Sequence, residues 1–298
     1  MLERWNDAIT AIDARLSDPD DSLEIDVADL ARMTLTSEYH FRRVFSTLAG
    51  MPVSEYVRRR RMSIAAADVL EGAALADLAV RFGYGSADAF SRAFRAVHGV
   101  TPEQARVPGA SLRSQPRLRF HLTLEGASTM RHRIETLNPF RIVGATTRIP
   151  LVYSGPNPDM IAFVRSLPEG LDARLEPLAS DGLPVGPFSA STGFTDDRAD
   201  GSPFDYWHGV ATTRDAAELP EDLDVLEVPA HTWVVFEVEA TSDFTGAMQA
   251  LWRDAYGDWF PSNPYTVVPA PEILCVLESS DDWSAGRAEL WLAVERVR

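Results

Sequence analysis

No lysine occurs anywhere in the 298 residues, so every one of the 28 basic side chains is an arginine. Contact with an anion therefore falls to a guanidinium, a backbone N–H or a hydroxyl, and the planar guanidinium fork favours two-point contact. Cysteine is reduced to Cys275, which excludes an internal disulfide and a structural zinc site built on thiolates. No apolar run approaches the roughly 18 residues of a membrane span. The start, Met1-Leu2-Glu3-Arg4-Trp5-Asn6-Asp7, lacks the basic and apolar regions of a secretory signal. The expectation is a soluble cytoplasmic protein with no membrane partner. His40, His98, His121, His132, His208 and His231 fall in no HExxH or paired-ligand spacing, so no metal is expected. The chain also lacks Gly-x-Ser-x-Gly, P-loop and Gly-x-Gly-x-x-Gly motifs, which leaves nucleotide and serine-hydrolase chemistry without support and predicts no cofactor.

What the chain does contain is repetition. Ser37-Glu38-Tyr39-His40-Phe41-Arg42-Arg43-Val44-Phe45, followed by Gly50, returns as Ser86-Ala87-Asp88-Ala89-Phe90-Ser91-Arg92-Ala93-Phe94, followed by Gly99. The serine, both phenylalanines, the arginine between them and the glycine recur at a single offset of 49. On a helix, phenylalanines four apart stack on one face and bury, while Arg43 or Arg92 projects to the side. Upstream, Asp29-Leu30-Ala31 matches Asp77-Leu78-Ala79 at offset 48, so each copy is a short helix, a tight turn and a longer helix, with one extra residue in the second turn. Thr34-Leu35-Thr36 makes the first turn, and Gly83-Tyr84-Gly85 the second, where glycine takes positive φ at low cost. Each copy reads as a helix-turn-helix, a motif whose second helix can enter a DNA major groove.

A net charge of −16 argues against nucleic-acid binding until its distribution is considered. Residues 32–106 hold 11 arginines against 7 acids, whereas residues 111–298 hold 15 against 28. The acidic half repels DNA and leaves the duplicated segment to meet it.

Around the duplication, Trp5, Ile9, Ile12 and Leu16 give residues 3–16 the period of an amphipathic helix. Residues 27–33 form the short first helix of copy one, and Thr36 caps the next, with Tyr39 at its third position. Residues 52–70 read as one long helix whose Arg58, Arg59, Arg60 and Arg61 form a dense positive patch suited to phosphate. That helix ties the two units at a fixed distance, so one chain can address two groove segments about 34 Å apart. Copy two runs over residues 75–106, with Thr101-Pro102 opening its closing helix.

Beyond Val107-Pro108-Gly109 the sequence reads as a linker over residues 107–130, with a short strand available at 117–124. Two domains are expected on length. In the second, residues 131–147 suggest a strand turning into a hairpin, 157–167 a helix, 184–187 a turn, and 204–211, 223–228 and 231–239 strands. Residues 245–256 are helical, with Met248, Leu251, Trp252 and Ala255 on one face, and 273–278 and 288–297 are closing strands. This is an α+β pattern.

The two serine-to-glycine copies, the connecting helix and the Gly99-Val100-Thr101-Pro102 close resemble the AraC-type DNA-binding region of bacterial transcription regulators over residues 8–106. The resemblance implies that Tyr39, Arg42 and Arg43 read bases from the first copy and Ala87, Asp88, Ser91 and Arg92 from the second; Arg58, from the positive patch of the long helix, is the further DNA-contact candidate, on phosphate. Ala87 and Asp88 depart from the long polar side chains usual there, so the second half-site should be read more loosely, through Arg92, Ser91 and DNA shape. Residues 130–298 resemble the GyrI-like effector-binding domain through Asp205-Tyr206-Trp207-His208-Gly209, the strand Leu226–Phe236, Trp259-Phe260-Pro261-Ser262 and Pro271-Glu272-Ile273. In that family an acid at the Glu272 position sits among aromatics in a cleft between two βαββ halves and meets cationic, lipophilic ligands. A buried carboxylate needs a partner charge, and ring faces attract cations. The implied ligand residues are Tyr206, Trp207, Trp252, Trp259, Phe260 and Glu272, with Glu289 on the last strand a second candidate acid. Leu274 stands where the family usually has an aromatic.

The expectation is therefore a multidomain chain: an all-α double helix-turn-helix domain over 1–106, a linker over 107–130, and an α+β tandem βαββ domain over 131–298. It implies a DNA-binding transcription regulator that is not an enzyme. Its partners are double-stranded DNA and a small-molecule effector, with RNA polymerase a further candidate and oligomeric state open. Two alternatives differ in class. The C-terminal domain could be a small-molecule hydrolase, with Glu272 or Glu289 as general base beside Tyr206, or a module that binds a protein partner.

Overall fold

The computed structural model describes residues 2–17, 25–120, 130–152, 157–195, 198, 200–240 and 242–297. The chain forms two compact units, Met1–Phe41 with Met51–Thr123, and Arg42–Gly50 with Leu124–Arg298.

The first unit is helical. Helix α1 (Leu2–Ser17) buries Trp5, Ile9, Ile12 and Leu16 as its period requires. Helix α2 (Val27–Thr34) begins at Asp26, whose carboxylate accepts the Ala28 N–H; after the turn comes α3 (Glu38–Ala49), whose residues from Arg42 on count with the second unit. The long α4 (Val53–Leu70) leads to α5 (Leu75–Arg81), α6 (Ala87–His98) and the short α7 (Pro102–Ala105), which has a Thr101/Gln104 capping box and proline in its first turn. All four repeated phenylalanines are fully buried. Phe90 and Phe94 share a core with Met62, Ala65, Val69, Leu78 and Phe82, and Phe41 stacks on Trp5 with ring centroids 5.0 Å apart. Each such side chain contributes roughly 1.5–3 kcal/mol relative to exposure.

The repeated serines are caps. Ser37 Oγ accepts the His40 N–H at 3.2 Å, and Ser86 Oγ accepts the Ala89 N–H at 3.1 Å. This corrects the expectation that Thr36 caps α3 with Tyr39 third: Thr36 instead bonds the Thr34 hydroxyl, and His40 is the third residue. The two turns close alike, Thr36 N–H donating to Ala31 O and Tyr84 N–H to Ala79 O. The left-handed position is Leu35 (φ 57) in copy one and Gly83 (φ 75) in copy two, and the extra residue of copy two is Gly85.

Residues 107–120, expected as linker, contain no ladder strand and are fastened to the helices. The Gln115 N–H donates to Ser63 Oγ, Leu118 N–H to Tyr56 Oη, and Phe120 N–H to Asn6 Oδ1, while Asn6 Nδ2 returns a bond to Phe120 O. The remainder of the strand expected at 117–124 lies outside the described residues.

The second unit is built on a nine-stranded antiparallel sheet. Its strands are β1 (Arg131–Leu137), β2 (Phe140–Pro150), β3 (Phe188–Thr192), β4 (Pro203–Thr212), β5 (Asp224–Val228), β6 (His231–Ala240), β7 (Tyr265–Val267), β8 (Glu272–Ser279) and β9 (Gly286–Arg296), in spatial order β1-β6-β9-β8-β3-β4-β2-β5 with β7 beside β9. Helix α8 (Pro158–Ser166), started by Asn157, and the short α9 (Leu171–Leu175) follow β2, and α10 (Phe244–Asp254), started by Asp243, follows β6. The order exposes a second duplication. In β2-α8-β3-β4 and in β6-α10-β8-β9 alike, the third strand lies between the first and second, and the halves join where β3 pairs with β8. The hairpin expected over 131–147 is not one. Although consecutive, β1 pairs with β6 and β2 with β4 and β5, at opposite ends of the sheet. Gly209 lies directly opposite Gly144, where a Cβ would strike the facing backbone.

One sheet face carries the larger core, with Phe140, Phe188, Trp207, Trp233, Ile273, Cys275 and Trp291. The other carries α10, whose Phe244 and Met248 pack on Ala288 with Leu274 and Val276 against them. The helix α10 continues through a wider turn, Ala255–Trp259, that buries Tyr256 and Trp259.

Candidate functional site

On α6, Asp88, Arg92 and Arg95 are exposed at spacings of four and three, forming one stripe, with Ala87 and Ser91 half-buried beside it. Phe90 and Phe94 anchor the opposite face, so the stripe is held out by its own core. Arg92 has no ion pair among the described residues. This is the arrangement that the Phe-x-Arg-x-Phe spacing predicts.

Copy one differs. Tyr39 and Arg42 are half-buried, but Arg43 is only 8% exposed and belongs to the second unit. Its Nε donates to Glu272 Oε1 at 2.8 Å, its Nη2 to Glu272 Oε2 at 2.7 Å, and its Nη1 to Thr47 Oγ1 at 2.8 Å. Of the basic patch on α4, Arg58 forks onto Glu55 three residues back and Arg59 donates its Nε to the same carboxylate four residues back, the two spacings that face each other on a helix. Arg60 turns away from the patch to bond Asp13 and the Gln115 carbonyl. Arg58 remains exposed.

Glu272 begins β8, at the junction of the two βαββ halves. The register places Tyr206, Ser191 and Glu272 in one row across β4, β3 and β8, on one face of the sheet. Besides Arg43, Glu272 takes an ion pair from Arg198 at 3.0 Å and the Trp252 indole N–H at 3.0 Å. Burial alone pushes its carboxyl pKa up. The charges of Arg43 and Arg198, with hydrogen bonds from Arg43 and Trp252, outweigh that and hold it at about 2. The Arg43 guanidinium lies 4.5 Å from the Tyr256 ring centroid, and that of Arg198 lies 3.6 Å from the Phe194 ring. Beside these groups a cleft of about 360 Å³ remains, lined by Phe194, Phe204, Trp252, Arg198, Arg43 and Glu272.

Glu289 lies on the other face. The register sets it opposite Cys275, with Trp291 two residues on, whereas Glu272 shares the face of Leu274 and Leu290. It accepts the Arg133 fork at 2.7 and 3.0 Å and the Trp291 indole at 3.1 Å. Of the implied aromatics, the row brings Tyr206 toward Glu272, and Trp252 touches it. Trp207 points into the opposite core. Trp259 and Phe260 are buried against each other at 5.1 Å, with Phe236 and Tyr265 packed on Trp259. Burial raises the Tyr206 phenol above its usual 10, opposed by a hydrogen bond with Ser189.

Arg198, Phe194 and Phe204 line the cleft and Tyr256 lies against the Arg43 guanidinium, and none of the four was expected there from the sequence. Arg198, Phe194 and Tyr256 stand in no repeat or motif, and only the folded chain brings Arg198 and Phe194 to the Glu272 cleft and Tyr256 to Arg43. Among the described residues, no group of three or more His, Cys, Asp and Glu side chains could hold a metal, and no helix is long and apolar enough to cross a membrane.

Paired helix-turn-helix units and a tandem βαββ sheet with a buried carboxylate at its junction define a class: an AraC-type DNA-binding segment carried with a GyrI-like effector-binding domain. Residues 133–294 match the family described as integron-associated effector binding protein, and the chain belongs to that family. Residues 30–107 match a helix-turn-helix domain family. The chain is similar to the regulatory protein SoxS of Escherichia coli K12, 33% identical over 101 residues that cover 34% of this chain and 90% of SoxS. It is also similar to the HTH-type transcriptional activator AarP of Providencia stuartii, 32% identical over 80 residues, which are 26% of this chain and 59% of AarP. The chain thus spans less than two thirds of AarP's length. The structure of SAV2435 bound to tetraphenylphosphonium aligns over 56% of this chain and 94% of that one, at 20% identity and a TM-score of 0.43.

Proposed function

We propose that this chain is a sequence-specific transcription regulator that binds double-stranded DNA through its two helix-turn-helix copies and senses a small, cationic and lipophilic effector in the Glu272 cleft. The observation that carries this reading is the buried Glu272 carboxylate, ionised among Trp252, Tyr256, Phe194 and Phe204, in a chain whose α6 presents an exposed Asp88, Arg92, Arg95 stripe. A buried carboxylate and ring faces recognise a desolvated organic cation. Arg92 and Ser91 would read bases, Arg42, Tyr39 and Arg58 would serve the first half-site and its phosphates, and RNA polymerase is the partner through which DNA binding would act.

The hydrolase alternative gains no support. A carboxylate held at about 2 by two guanidiniums is a weak proton acceptor near neutral pH, where general-base catalysis favours a pKa close to the working pH. The test is calorimetric titration of the full chain with lipophilic cations, alongside selection of bound DNA from random sequence. Saturable binding lost in Glu272→Gln is expected. Binding unaffected by that change, or no enriched DNA sequence, would sink the reading.

A further inference from the structure

Glu272 already has a cation on it. Arg43 supplies what the cleft would ask of an effector: a positive charge forked onto the carboxylate and a face laid on Tyr256. All three of its nitrogens are engaged, the third by Thr47. Yet Arg43 is also the repeat equivalent of Arg92, which stands exposed on the DNA-reading stripe of α6. One guanidinium cannot hold Glu272 and a base or phosphate at once.

We propose that Arg43 is a built-in competitor of the effector: a cation that takes Glu272 and the Tyr256 face displaces Arg43 and returns it to DNA, so that effector and DNA strengthen each other's binding. The proposal rests on the reading of the Glu272 cleft as the effector site. Arg198 makes the exchange feasible, because its own ion pair keeps Glu272 compensated while Arg43 leaves. The cleft of about 360 Å³ beside the pair gives an incoming molecule a place to bind before Arg43 departs. The coupling is reciprocal by linkage, since it comes from one side chain that either ligand can claim.

The experiment uses the full-length chain, tetraphenylphosphonium as probe cation and a mixed-sequence duplex at low salt, with DNA affinity read by anisotropy and cation affinity by calorimetry. In the wild type the cation should raise DNA affinity about tenfold, within the usual range of coupling. Glu272→Gln should bind DNA about that much better without the cation and ignore its addition. Arg43→Met should bind the cation about tenfold more tightly than the wild type and lose the coupling, whereas Arg92→Met should weaken DNA binding yet keep the coupling factor. Should Glu272→Gln fail to fold, the cation affinity of Arg43→Met carries the test. If the cation binds wild type and Arg43→Met equally and depends on Glu272, the effector reading survives and the competition is overturned. If no variant binds the cation but Glu272→Gln gains DNA affinity, Arg43 restraint by Glu272 is supported and the lipophilic-cation reading falls. Unchanged DNA affinity in Glu272→Gln overturns the proposal.

Discussion

Helices α3 and α6 carry the same spaced phenylalanines and the same central arginine, yet they leave that arginine in opposite circumstances. Phe41, Phe45, Phe90 and Phe94 are all fully buried, and Ser37 and Ser86 both cap their helices. Arg92 is exposed, whereas Arg43 is buried on Glu272. The repeat therefore dictates the scaffold and only offers the arginine a direction. What the guanidinium meets there depends on residues outside the repeat.

Substitutions can break this comparison at several scales. Phe41→Ala and Phe90→Ala should each cost about 3–5 kcal/mol in urea unfolding, because both delete a fully buried ring. A large gap between them would mean that the two cores are not equivalent. His40 has no counterpart in copy two, where Ala89 stands. Burial lowers its pKa from 6.5 to about 4, so the fold binds the proton less well than the unfolded chain does. Its contribution is complete above pH 6.5 and is lost as pH falls toward 4, by up to about 3 kcal/mol. His40→Ala should flatten the stability profile across that window in pH-dependent melts, and an unchanged slope would refute the assignment. Arg43→Met should destabilise by about 2 kcal/mol, less than an ordinary broken buried pair because Arg198 still faces Glu272. Arg92→Met should stay within about 0.5 kcal/mol, as exposed substitutions do. The smallest contrast lies in the turns. Gly83→Ala should cost about 1 kcal/mol, while Leu35→Gly, which relieves a strained φ of 57 at an exposed side chain, should be neutral or stabilising by about 0.5 kcal/mol.

The helical unit was largely legible because its signals are local: spacing of four between phenylalanines, Thr101-Pro102 at a helix start, Trp5 to Leu16 on one face. The displaced cap shows the limit. Thr36 and Ser37 are both good caps, and the offset of 49 shared by Ser37 and Ser86 was the feature that distinguished them. In the sheet, β3 and β7 were missed, being five and three residues long without clear alternation. The false hairpin arose because consecutive strands usually pair, whereas here β1 and β2 go to opposite ends of the sheet and find other partners. Glu272 could be singled out by its motif setting, but its partners Arg43 and Arg198 lie 229 and 74 positions away in sequence. No local pattern links them.

The fastening of residues 107–120 has a practical meaning for anyone moving this helix-turn-helix module between proteins. The duplicated motif and the matching family both end near 106, but a fragment cut there would strip Tyr56, Ser63 and Asn6 of their partners and uncover Trp5, against which Phe120 packs edge-on at 5.9 Å. A portable piece has to reach at least Phe120. A graft made at the motif boundary would carry both repeated helices and leave behind part of what keeps them folded.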